Sequence, residues 1–439
     1  MRSISKNILF LLNITFILLL QACGGGGGAG GVAPGNLAVT VSTGTPATAL
    51  AGVSVLVFDA STNAPVASGT SDSAGKFTAS NLNPGNYYVK LSKQGYSPVP
   101  ASALLMPAPQ AVASGQTTSY AVTMSVSGLS GTGWVSGKVS TGGTGLSNVL
   151  VAVEAAGVAY TSITNSSGNY AVYNVPGGSY SVQAYARGYT FAPVPASVSS
   201  GLATTANVSA TASAGASVPV TFNLIAQTGV VKPASMLVSL VHPVSHETIP
   251  GLDQTQTFQN SLSYNFTGVA DGNYLVRSTF ANDTIVVDPD AIVKFGEPSV
   301  VVTAGTPSPN PVQITATGAV GLVSPTNAMT SATPAIVTGT TTPTFTWNAY
   351  SSTSDYVLEV MEADTGIVVW GGFSNMGTAT PSKNITVPSS ATSYVYNGPA
   401  LSVGKTYRWR VYASKNDTST LGWHLISMSE DQMGLFKLQ

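Results

Sequence analysis

Cysteine, histidine and charge are scarce in this chain. Of 439 residues one is cysteine, three are histidine and 8% are charged. A single thiol excludes an internal disulfide and any thiolate cluster for zinc or iron–sulfur binding. Sixteen Lys and Arg against 17 Asp and Glu leave a net charge of -1, so there is no basic field for nucleic acid and no acidic tail. Long apolar runs are also missing: past the N-terminus none approaches the roughly 18 residues of a membrane-spanning helix. What is present is 44% hydrophobic residues, set as short Val, Tyr and Ala alternations between Gly, Ser, Thr and Pro clusters, which is the pattern of small sheets. At roughly 150 residues per domain the chain holds three or more.

The stretch from Asp72 to Tyr96 states the recurring unit. Asp72-Ser-Ala-Gly75 places a side-chain acceptor at the start of a tight turn and a residue tolerant of positive φ at its end. Asn83-Pro84-Gly85-Asn86 is a second turn signal, with Pro expected to fix one φ and Gly to supply the next. Then Tyr87, Val89 and Leu91 alternate with Tyr88, Lys90 and Ser92, the period of a strand with one apolar face.

The N-terminus is an address. Arg2 and Lys6 precede an apolar stretch from Ile8 to Leu20, too short to span a bilayer comfortably. It ends in Leu20-Gln21-Ala22-Cys23, which resembles the bacterial lipobox. The resemblance implies cleavage before Cys23 and acylation of its sulfur and new amine, which makes residues 1–22 a lipoprotein signal peptide. Several acyl chains hold a protein stably on a membrane. Gly24 after the cysteine implies sorting to the outer membrane, facing the periplasm or the cell surface. Residues 23–35 are then the lipidated Cys and a Gly-rich tether with a reach on the order of 20 Å.

Residues 36–125 begin with the apolar ladders Leu37, Val39, Val41 and Val53, Val55, Val57, followed by the unit above, a Pro-rich segment and a last strand around Tyr120. Residues 133–223 repeat that order: Val149, Val151 and Val153, then Asn165-Ser-Ser-Gly168-Asn-Tyr170, Val175-Pro-Gly-Gly178-Ser-Tyr180 and Arg187-Gly188-Tyr189. Gly75 and Gly168, Tyr87 and Tyr180, and Gly95 and Gly188 each lie 93 positions apart. This is a repeat of a whole domain, since each copy holds enough strands for its own sandwich.

A Val ladder, then D-x-x-G-x-F, L-x-P-G-x-Y and Gly-Tyr resembles the carboxypeptidase regulatory-like domain. That resemblance implies a transthyretin-like Greek-key sandwich, grouped with carbohydrate-binding sandwiches and without a zinc site of its own. Residues 218–317 keep Ala270-Asp271-Gly272-Asn273-Tyr274 but lack the D-x-x-G turn, so a diverged sandwich of similar type is expected. Residues 319–439 differ. Phe345-Thr-Trp347, Tyr356 to Val360 and Leu401 to Val411 resemble a fibronectin type III-like or immunoglobulin-like sandwich, with Tyr407 as its tyrosine corner and Trp347 as its core tryptophan. The fold class expected for the chain is all-β, tandem Greek-key β-sandwiches after a lipoprotein signal peptide.

Catalysis needs a nucleophile with a base, a carboxylate pair or metal ligands. His242-Pro-Val-Ser-His246-Glu247 has a histidine spacing of four, but Pro243 and the flanking strand pattern argue against a helical zinc pair; an exposed loop is the expectation. Asp288, Asp290, Asn282 and Asp283 read as solvated turn residues, because the spacing of a calcium loop is absent. Trp370 and Trp423 read equally as core fillers or ligand platforms. Tyr88 and Tyr185 fall on the outward phase of matching strands, where an aromatic ring can stack on a sugar. No catalytic residue, metal site or cofactor is expected, and no nucleic-acid partner. The reading that follows is a non-enzymatic envelope lipoprotein, held on the membrane through Cys23, whose repeated sandwiches act as a spacer and protein-contact array; the alternative is a carbohydrate-binding lipoprotein using Tyr88 and Tyr185.

Overall fold

In the computed structural model the described residues are 33–62, 64–101, 108–225, 230, 232–280, 284–289, 297–328, 333–374, 382–416, 423–429 and 433–439. The fold is all-β, built of β-sandwiches in tandem. In the first, strands Ser54–Asp59 and Gly85–Ser92 form the centre of one sheet, edged by Pro65–Thr70 and Gln110–Val112. The facing sheet centres on Gly35–Thr43, antiparallel to Lys76–Leu82 and parallel to Thr117–Thr123. Leu37, Val39, Val41, Val55, Val57, Tyr87, Val89 and Leu91 fill the space between, as their alternation requires.

The second module has the same wiring. Thr132–Thr141 is antiparallel to Asn169–Pro176 and parallel to Ala203–Thr205 and Val208–Ala212. Its other sheet runs Val158–Ile163, Leu150–Ala155, Gly178–Tyr185, Val194–Val198. The third module repeats it again: Ala216–Leu224 is antiparallel to Ser261–Val269 and parallel to Val312–Gly318. Strand pairing therefore places 216–224 in the third module rather than the second. A parallel pairing of first and last strands, seen three times, makes the third module a copy of the same topology despite its lost turn.

The D-x-x-G turns form as expected. Asp72 Oδ1 accepts the amides of Ala74 and Lys76, and Asn165 Oδ1 those of Ser167 and Asn169. Gly75 and Gly168 have φ of 73° and 81°. The second signal works otherwise. Gly85 takes no positive φ; instead the Tyr87 ring folds back so that its hydroxyl donates to the Asn83 carbonyl at 2.6 Å. Tyr274 does the same to Ala270 at 2.8 Å, and at Gly272 a Cβ would press on the Tyr274 ring. The Gly-x-Tyr spacing thus records ring passage.

The fourth module is wired differently, with a small sheet of Leu322–Ser324, Thr344–Trp347 and Ser393–Val395 against a larger one centred on Asp355–Glu362 and Thr406–Asn416. Phe345, Trp347, Tyr356 and Trp409 are buried in its core. The Tyr407 hydroxyl accepts the Ser402 amide at 2.9 Å.

Candidate functional site at the module junctions

In all three repeats the strand opposite the first one carries a β-bulge at the same place. Pairing slips between Val172 and Val175, and the corresponding slips fall beside Ala79–Leu82 and Thr267–Val269. The bulge residues Asn81, Asn174 and Gly268 all have positive φ. A bulge frees backbone groups from the ladder, and here the preceding module uses them. The Gly95 amide donates to Asn174 Oδ1 at 2.7 Å, Asn174 Nδ2 donates to the Tyr96 carbonyl at 2.7 Å, and the Asn174 amide donates to Gln94 Oε1. One module on, the Gly188 amide donates to the Gly268 carbonyl at 2.8 Å, and Arg187 donates to the Thr267 carbonyl and hydroxyl. The Gly-Tyr that ends the first and second units is therefore part of a docking loop.

The outward sheet faces meet at a second junction. Tyr88 does lie opposite its own core, as the alternation predicts, but it is only 7% exposed. It stacks on Phe58, centroids 5.0 Å apart at 4°, and both rings join the apolar cluster of the third module. The expectation of an open stacking face at Tyr88 is thereby corrected: a neighbouring domain covers the face. Lys90 pairs with Glu247 across the same seam and sits over the Phe58 ring.

The loop 242–247 is also not exposed. His242 is fully buried and His246 nearly so, because the loop is where the three modules converge. His242 Nδ1 accepts the amides of Val244 and Ser245, Nε2 lies 3.3 Å from a Glu154 oxygen of the second module, and the Tyr185 ring meets the imidazole edge-on at 5.1 Å. Burial first, and His246 second, push the His242 pKa down to about 4, so the ring is neutral at pH 7. His246 Nδ1 lies 2.6 Å from Glu297, which also binds Arg277. Burial pushes the Glu297 carboxyl up, but the His246 bond and Arg277 outweigh it and leave it below its ordinary value. The two imidazoles address different partners. Among the described residues no group of three His, Cys, Asp or Glu converges.

The fourth module closes back on the first. The Tyr120 hydroxyl meets Asp364 at 3.0 Å, the Ala101 amide donates to the Thr365 carbonyl, and Ala108 packs with Ala363 and Leu435. Burial holds the Asp364 carboxyl above its ordinary value.

Between the second and third modules lies an open cleft of about 580 Å³. Tyr185, Tyr189 and Phe191 line it from one side, Ile249, Leu252 and Tyr274 from the other. Tyr189 and Phe191 sit two apart on the strand Tyr189–Phe191, which among the described residues pairs with Val208–Ala212 alone, and their half-buried rings are 6.3 Å apart at 40°. The Tyr185 hydroxyl bonds Gln183, and burial raises its pKa to about 12. Asp271 on the rim accepts the amides of Ala304 and Gly305.

Of the residues read from sequence as candidate ligand contacts, Tyr185 alone reaches this cleft; Tyr189, Asp271 and Tyr274, read there only as parts of the repeated unit, line it too. Cys23, Asn282, Asp283 and Asp290 lie outside the described residues, and Asp288 is buried. Trp370 is core, donating to Asn397, and Trp423 stacks flat on Phe373 at 5.8 Å. Tyr189, Phe191 and the docking role of Asn174 were missed. Tyr189 and Phe191 carried a readable signal, two aromatics one residue apart after Gly188.

Residues 31–125 match the family model of the carboxypeptidase regulatory-like domain. No curated protein matches. Among solved structures, the Bacillus anthracis TIE protein aligns at 13% identity and a TM-score of 0.18, over 65% of this chain and 51% of that one; the chain thus spans about half the length of that structure. Two B repeat units of the collagen binding protein of Staphylococcus aureus align at 10% and 0.18, over 90% and 99%. A DUF3823 family protein from Bacteroides uniformis aligns at 10% and 0.22, over 51% and 100%. At these scores the alignments carry no argument, and the β-sandwich fold rests on the sheets themselves.

Proposed function

We propose that this chain is a non-enzymatic lipoprotein of the bacterial envelope, tethered through Cys23, that presents its four sandwiches as one body for contact with a protein partner. In this reading the second and third modules are relatives of the regulatory-like first one, and the fourth is fibronectin type III-like, with Tyr407 as its tyrosine corner. The observation that carries the proposal is the set of junctions. Loops dock on bulges between modules one and two and between two and three, and module one also meets modules three and four. A chain joined in this way offers a fixed composite surface, which lowers the ordering cost of binding. It also changes what is expected of the spacer array: the modules fold back on one another.

The histidine cluster is read as structural because the contacts it makes, His242 Nδ1 to the Val244 and Ser245 amides and His246 to Glu297, lie within the junction. For the anchor, Cys23→Ala is expected to abolish acylation and leave the protein out of the detergent-extracted membrane fraction. A variant that still sediments with membranes after a high-salt wash removes the lipoprotein reading. For the partner, cross-linking in intact cells is expected to trap one reproducible protein with the wild type and to lose it in Cys23→Ala.

A further inference from the structure

We propose that the cleft between the second and third modules binds a short neutral saccharide. The inference goes beyond the envelope-contact reading and depends on the docking of these two modules, not on the anchor. A volume of about 580 Å³ falls within the range of small-molecule sites, which join apolar and aromatic walls to a few convergent polar groups. The lining here includes the rings of Tyr185, Tyr189 and Phe191 together with the buried side chains of Ile249 and Leu252. A sugar ring has one face of C–H groups that packs on an aromatic surface and a periphery of hydroxyls that need partners.

The polar groups match that periphery. The Gln183 amide spends its oxygen on the Tyr185 hydroxyl, and its nitrogen carries donors that this bond does not use. Asp271 holds two backbone amides, and an ionised carboxylate has about four acceptor positions, so it can also take sugar hydroxyls. Charge decides the ligand class. No Lys, Arg or His is among the described residues lining the cleft, so nothing there balances an anionic sugar against Asp271. A single carboxylate already held by backbone amides is no cation site either. The uncharged polyol remains.

Two features make the site a property of the assembly. Tyr189 and Phe191 come from the second module and Asp271 from the third, so neither module holds the whole site. Arg187 and Gly188, next to Tyr189 in the chain, are the docking loop itself, so docking sets where the aromatic strand stands.

The test uses the detergent-solubilised full chain in calorimetric titrations with maltohexaose, cellohexaose and mannohexaose, beside trigalacturonate and an uncharged hexapeptide. Saturable binding of at least one neutral hexaose is expected. It should weaken about tenfold in a Tyr189→Leu, Phe191→Leu double variant, because two aromatic contacts of about 0.7 kcal/mol each amount to that factor. Trp423→Ala, in the fourth module, should leave it unchanged. Melting of the double variant within a few degrees of wild type excludes unfolding as the cause; if it melts lower, Gln183→Ala replaces it, with the same weakening expected. No saturation by any neutral hexaose, undiminished binding in the cleft variants, or preference for trigalacturonate or the peptide each overturns the proposal.

Discussion

Gly75 makes a double demand on its site. Its φ of 73° lies where side chains are strained, and a Cβ would run into the Val41 carbonyl oxygen. Gly168 stands in the same relation to Val139. Gly75→Val should therefore cost roughly 2 kcal/mol or more. Hydrogen exchange should show lost protection in the strands of residues 35–123 while Leu150–Ala155 keeps its own; an unchanged pattern would contradict the turn. Tyr88 teaches the complementary lesson. Strand phase correctly puts it opposite Val89 and Leu91, but phase says only which face a residue shares. What covers that face comes from far along the chain, as with Glu247, 157 positions from Lys90, and no local pattern reports it. Tyr88→Ala should cost about 3 kcal/mol, as for other large rings cut from a core, and thermal melting would measure it. A loss below 1 kcal/mol would indicate an uncovered ring.

The loop 242–247 is the element with a readable pH dependence. His242 titrates near its ordinary 6.5 when unfolded and near 4 when folded. Between those values the unfolded state binds more protons, so the ring's contribution is present above pH 6.5 and lost as pH falls toward 4, by about 3 kcal/mol in all. Asp253 opposes it. Burial raises that carboxyl to about 6, so its contribution is present below its unfolded value and lost as pH rises through 6. The wild-type stability curve blends the two. The difference between wild type and His242→Asn isolates the histidine and should shrink on acidification from pH 7 to 4.5; a difference constant across that range would place His242 in water. The docking loops are elements of the same rank. Asn174→Ala removes the side-chain partners of Gly95 and Tyr96 and should weaken coupling of the first two modules by about 1–3 kcal/mol, seen as separate melting transitions. The loop was visible in sequence only as a recurring Gly-Tyr, because a docking partner in another module leaves no periodic trace.

For the whole molecule, the repeated domain was legible in the first two copies because turns and Gly-x-Tyr spacing are local. The third copy showed only in the spacing of Gly272 and Tyr274, since its wiring rests on pairings such as Val220 with Val312. The assembly was the least legible part: repetition read as a spacer and protein-contact array, and nothing local reported the junctions that gather the modules. A single compact body of this length has a radius of gyration of about 22 Å. Small-angle scattering of the solubilised chain should approach that figure, and a much larger, salt-insensitive value would show independent modules.

Asn81 gives the array a direction. Modules two and three receive a loop at their bulge, and Asn81 is the corresponding bulge of module one, where no loop docks among the described residues. Modules one and two thus supply a docking loop and modules two and three the bulge that receives it, which leaves the bulge of module one over. A duplicated copy inserted there would arrive with its own coupling already built, so this architecture can lengthen by gene duplication without inventing a new interface.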